Sequence, residues 1–205
     1  MHAWLQLVLA HAGPVLLASA LAMALPGVAR RPWRWLAPIL CAAALSVRWG
    51  DFSPVEYFRG VAGDLSIVTV LLLSCRVWRQ LSGRDLLPAR EQGEVARFAA
   101  LAGAVLYPAA VGLGTWDAYR LGYAPLTTLL PALLALAVWA RLTKRRSAAL
   151  VPVVILAWCF GLLESTNLWD YLVDPFVAVY GLGWSVAELF RGRGMQVQPS
   201  GPAAS

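Results

Sequence analysis

Apolar runs of about 17–20 residues, bounded by arginine clusters and tryptophan, recur along the whole chain, and about 20 such residues take a helix across the hydrocarbon core of a bilayer. Helix ends in a membrane favour Trp at the interface and Lys or Arg on the cytoplasmic side. The pattern predicts an all-α, polytopic transmembrane bundle. Composition agrees: 60% of the 205 residues are hydrophobic, 14% are charged and mean hydropathy is +0.64, whereas a soluble domain carries about 25% charged residues. Seven spans are expected, at about 4–28, 35–47, 65–78, 98–114, 125–140, 148–163 and 175–190. Gly13-Pro14 is a candidate kink in the first, and the second is short. A polar segment, 79–97, is divided by Pro88 and Gly93. Met1-His2-Ala3 lacks the positive charge of a secretory signal. One transmembrane domain, 1–193, is expected to precede a disordered Pro-, Gly-, Ser- and Ala-rich tail, 194–205.

Charge placement orients the bundle. Fourteen of the seventeen basic residues follow spans one, three, five and seven, leaving only Arg48, Arg59 and Arg120 on the other side. The N-terminus is therefore expected outside and the C-terminus in the cytoplasm. The Ala, Arg and Leu bias points to a GC-rich bacterial genome, hence to a multi-pass protein of a bacterial inner (plasma) membrane. The net charge of +6 and pI near 9.7 are then helix-end cations that set orientation and meet anionic lipid, and no nucleic-acid partner is expected. Cys41, Cys75 and Cys159 all fall in apolar runs and read as small buried hydrophobes.

Seven of the eleven acids fall on the outer side: Asp51, Glu56, Asp64, Asp117, Glu164, Asp170 and Asp174. The densest stretch, 163–175, places Glu164, Asn167, Asp170 and Asp174 between two apolar runs. Two other junctions resemble it, Arg48-Trp49-Gly50-Asp51 and Thr115-Trp116-Asp117-Ala118-Tyr119-Arg120; in each, an Asp follows a Trp within two residues. The three are expected to meet in one extracytoplasmic mouth. Asp174-Pro175 has the form of a helix start. Ser53-Pro54-Val55-Glu56 has the form of a capping box that opens a short surface helix. Asp64 stands where it could cap the third span. Asn167 and Asp170, three apart, allow a further cap.

Asp51, Asp117, Glu164 and Asp170 are the candidate catalytic residues, as general base or as binders of hydroxyls. Arg48, Arg59 and Arg120 would hold phosphate, Trp49, Trp116 and Trp169 would stack on a sugar or head group, and Asn167 and His11 would complete the binding set. The competing expectation is structural: an ion-pair network, an interfacial aromatic belt and a His11 hydrogen bond between helices.

Seven spans with an outside N-terminus invite comparison with rhodopsins, but the only lysine, Lys144, falls in a cytoplasmic loop and offers no intramembrane Schiff base. There is no HExxH, GxSxG, Walker or GxGxxG pattern. No cofactor is expected, although an all-carboxylate Mg²⁺ or Ca²⁺ site stays open. Three function classes remain. One is binding or processing of an amphiphilic envelope substrate, a lipid-linked sugar or phospholipid head group, at the acidic, Trp-rich outer face. Another is a non-catalytic accessory subunit with a membrane-protein partner. The last is a small transporter or lipid translocase, with Pro14, Pro108 and Pro131 marking broken helices.

Overall fold

Each of the seven apolar runs is helical in the computed structural model, which describes residues 2–25, 27–28, 32–113 and 117–194. The helices are α1 (His2–Ala24), α2 (Leu36–Ser46), α3 (Pro54–Ala62), α4 (Ile67–Ser82), α5 (Ala89–Ala110), α6 (Leu129–Leu142), α7 (Leu150–Cys159), α8 (Leu168–Leu172) and α9 (Pro175–Gly194). Tighter turns at Pro32–Trp35, Ala118–Gly122 and Arg146–Ala149 lead into or join them. Among the described residues there is no strand, only an isolated bridge between Trp49 and Phe52. The fold is all-α. Among the described residues one helix, α1 over Trp4–Ala24, is by length and composition apolar enough to cross a membrane. The segments Leu129–Leu142, Arg146–Cys159 and Pro175–Phe190 are shorter apolar helices.

Local chemistry sets the helix starts. Ser53 and Glu56 form the expected reciprocal capping box, with Pro54 at the first helical position of α3. Asp174 caps α9, its Oδ1 accepting from the Val177 amide at 2.9 Å. Two expectations need correction. Asp64 does not cap α4; Ser66 does, through the Thr69 amide, because Ser66 holds the extended backbone of a cap immediately before Ile67. Nor does Gly93 divide the polar segment 79–97. α4 runs to Ser82, Pro88 immediately precedes α5, and Gly93 lies inside α5, where a Cβ would overlap the Trp184 indole of α9. α1 continues unbroken through Pro14.

Small residues let the helices approach. Ala96, Ala99, Ala100 and Gly103 recur at helical spacing on α5 and are buried. Ala96, Ala100 and Gly103 face α9, whose Gly181 lies so close that a Cβ would overlap the Ala96 carbonyl oxygen. The main core gathers Val68 and Leu72 of α4, Leu133 of α6, Val154 of α7, Tyr171 of α8 and Val177 of α9. A smaller cluster joins Met23 of α1, Ala37 of α2 and Val77 of α4.

Polar contacts divide the molecule into two ends. At one end Gln6 of α1 donates to the Gly161 carbonyl after α7, and the starts of α4 and α9 meet. At the other, the end of α4, the start of α5, the turn before α7 and the end of α9 meet through Arg79–Asp85, Glu91–Ser147, Glu94–Arg145 and Arg97–Glu188 contacts. Of the tail expected to be disordered, 194–205, Gly194 ends α9 and 195–205 lie outside the described residues, as do Arg30, Arg31 and Trp116.

Candidate functional site

The stretch 163–175 folds into a tight corner around α8. Leu168 and Tyr171 are fully buried, and the Tyr171 hydroxyl both receives the Leu163 amide and donates to the Leu163 carbonyl. Asn167, 0% exposed, caps α8 by accepting from the Trp169 amide at 2.9 Å. Its Nδ2 reaches 48 residues back to the Tyr119 carbonyl at 3.1 Å. Trp169 donates its indole N–H to the Ala118 carbonyl at 3.2 Å. Gly122 makes room for this seat, since a Cβ there would overlap Asn167 Oδ1.

Asp170 is the polar centre of the corner. Its Oδ1 accepts from the Tyr119 hydroxyl at 2.5 Å, and its Oδ2 accepts from Ser165, whose oxygen receives the Asn167 amide. Burial first, and then the hydrogen bond to Asp170, push the Tyr119 hydroxyl above its ordinary range. Tyr119 is therefore a neutral donor at physiological pH and no phenolate base. Asp117 caps the Ala118–Gly122 turn through the Tyr119 amide. Two of the three Trp-Asp junctions thus meet.

The remaining junction, 48–51, does not join them; the further contact comes from α3 through Arg59. Its guanidinium spans Asp64 and Glu164, both at 2.8 Å, and the bond to Asp64 raises its already high pKa. Glu164 has a side chain 78% exposed, so it is no deeply buried charge. Asp174, only 6% exposed, accepts the Ser66 amide through Oδ2 at 2.7 Å and so locks α9 to the start of α4. Asp51 stands apart, exposed in the turn where the Arg48 guanidinium donates to the Asp51 main-chain carbonyl. Trp49 is 72% exposed beside it. His11 bonds the Leu7 carbonyl within α1 at 2.8 Å instead of bridging helices. Arg120 is exposed, with no acidic partner among the described residues.

Asn167, Trp169, Asp117 and Asp170 are brought together around the Ala118-Tyr119 segment, Arg59 and Glu164 form a separate pair one residue before Ser165, and Asp51, Arg48 and Trp49 occupy another turn. Among the described residues no three His, Cys, Asp or Glu side chains gather as a metal site. Sequence reasoning did not single out Tyr119 and Ser165 as partners of Asp170; Tyr119 lies two positions after Asp117, and that proximity was the available signal. It also left aside the opposite end. There a largely apolar cavity of about 370 Å³ is lined by Val68, Phe98, Leu133, Val154 and Leu172 among others, with Glu94, Arg145 and Ser147 as its polar lining. Arg145 both pairs with Glu94 and stacks over Trp139. Comparison with family models, with curated proteins and with solved structures finds no match to this chain.

Proposed function

We propose that the protein is a multi-pass membrane protein of seven spans, N-terminus outside and C-terminus cytoplasmic, acting in a bacterial inner membrane as a non-catalytic organising subunit. One observation carries the non-catalytic part. Six of the seven acids on the face read as outer already accept from the protein itself: Glu56, Asp64, Asp117, Glu164, Asp170 and Asp174. Such oxygens hold corners together, and their donors would have to be displaced before a substrate could use them. The membrane part is supported by the seven helices at the seven apolar runs and by exposed large apolar side chains, such as Leu21, Ile39, Val138 and Leu182, on four of them. A local thinning of the bilayer and snorkelling of flanking arginines would accommodate the shorter helices.

A second reading keeps this face as a binding surface for an amphiphilic head group. It is favoured by Arg120, which has no acidic partner among the described residues, and by the exposure of Trp49. Two measurements test the choice. With Cys41, Cys75 and Cys159 replaced by Ala, single cysteines at the exposed positions 51 and 166 should label only from outside, and those at 84 and 144 only from inside; a mixed pattern removes the topology. In the native host, Asp117→Asn and Asp170→Asn should impair function only as far as they lower thermal stability. Complete loss of function with unchanged unfolding temperature would instead establish the head-group or catalytic reading.

A further inference from the structure

Lys144, the only lysine in the chain, occupies left-handed backbone with φ +57°. The neighbouring helices end differently: α4, α5 and α7 are followed by positive-φ glycines, Gly83, Gly112 and Gly161. Glycine meets no steric penalty in that conformation, whereas a residue with a Cβ does. α6 nevertheless closes on Lys144, whose amide bonds the Arg141 carbonyl at 3.0 Å while the Arg145 amide bonds the Ala140 carbonyl at 2.8 Å. A long cation therefore stands where the backbone favours no side chain at all.

The surroundings point to what that cation meets. Lys144 lines an open groove between α6 and α7 together with Arg141 and Arg146, and Val138, Leu142 and Pro152 provide apolar wall. The acids at this end are engaged elsewhere: Glu94 by Arg145 and Arg90, Glu91 by the Ser147 amide, Asp85 by Arg79, and Glu188 by Arg97. Arg146 donates only to main-chain carbonyls, those of Asp85 and Leu86. Among the described residues, Arg141, Lys144 and Arg146 thus form a positive crown without an acidic partner over an apolar trough. Resting on the multi-pass membrane reading, we propose that this groove docks one anionic phospholipid of the adjacent leaflet. Its phosphate sits against Arg141, Lys144 and Arg146, and an acyl chain lies along Val138, Leu142 and Pro152. Orientation alone would be served by cations anywhere at this end and does not call for one on left-handed backbone.

The test uses the full chain, first subjected to alkaline extraction from membranes and then reconstituted in nanodiscs. Discs of phosphatidylcholine alone are compared with discs containing phosphatidylglycerol, and unfolding temperature is read in each. Phosphatidylglycerol should raise it. Lys144→Gly combined with Arg141→Gln should lose most of that rise while remaining folded, because glycine suits the backbone at 144. Arg76→Gln combined with Arg84→Gln, the same change of charge outside the groove, should keep it. Equal loss in both pairs would reduce the effect to general surface charge and overturn the site. So would a full rise produced by inorganic phosphate in phosphatidylcholine discs, since no lipid chain would then be needed. Release of the chain by alkaline extraction would overturn the membrane reading itself, whereas membrane retention with identical unfolding in both kinds of disc would overturn the lipid site alone.

Discussion

Asp174→Ala should be the most damaging single change in the network. The carboxylate caps α9 through Val177 and receives the Ser66 amide from a residue 108 positions away, in a place almost without solvent. Losing a helix N-cap costs about 1 kcal/mol. Leaving the Ser66 amide buried without an acceptor costs about 1–3 kcal/mol more. The sum is about 2–4 kcal/mol. In a chain of 205 residues each kcal/mol moves the unfolding temperature by about 2–4 °C. The expected fall is therefore about 4–16 °C, measured by thermal unfolding of detergent-solubilised protein at one scan rate. Asp174→Asn keeps one acceptor oxygen and should fall about half as far. Asp51→Ala, at an exposed turn, should change stability by less than about 0.5 kcal/mol. If Asp174→Ala unfolds with Asp51→Ala and the wild type, the corner is not held by this carboxylate and the structural role assigned to the acids fails.

Other perturbations probe the remaining contacts. Gly122→Ala forces a Cβ onto Asn167 Oδ1 and should cost about 1–3 kcal/mol; an unchanged unfolding temperature would mean that Asn167 is not seated against the turn. Gly181→Leu drives a side chain into the α5 backbone at Ala96 and should abolish a folded, monodisperse product on gel filtration. Glu56 is held below the usual carboxylate range, first by the Ser53 amide and then by the Ser53 hydroxyl. Folding therefore favours its ionised form, so its contribution is present above the unfolded pKa and fades as pH falls through the folded one. The stability gap between wild type and Glu56→Gln should shrink between about pH 6 and about pH 3; a gap constant across that range refutes the charge-dependent cap.

Much of the site was legible from residues whose chemistry is local. Ser53, Glu56, Asp174 and Pro175 announce helix starts because a cap needs only the next three or four residues. Arg59 was a natural partner for the outer acids, and it binds two of them. Asp64 was misassigned because two candidates, Asp64 and Ser66, stand two positions apart before α4; Ser66 directly precedes Ile67 and caps it, while Asp64 pairs with Arg59 of α3. Trp169 resembled a belt residue, yet its indole N–H is committed to the Ala118 carbonyl. That bond has no counterpart in local sequence.

The sequence by itself determined that the apolar runs are helical and where α3 and α9 begin, since apolar run length and capping chemistry act over a few residues; it did not show the short α8. Only the tertiary structure decided which acids would be consumed. Asp170 with Tyr119, Glu164 with Arg59, and Asp174 with Ser66 are joined across 51, 105 and 108 residues. Hydrogen bonds of that reach exist only once helix packing has brought their donors within 3 Å or so, and no periodicity in the chain encodes that approach.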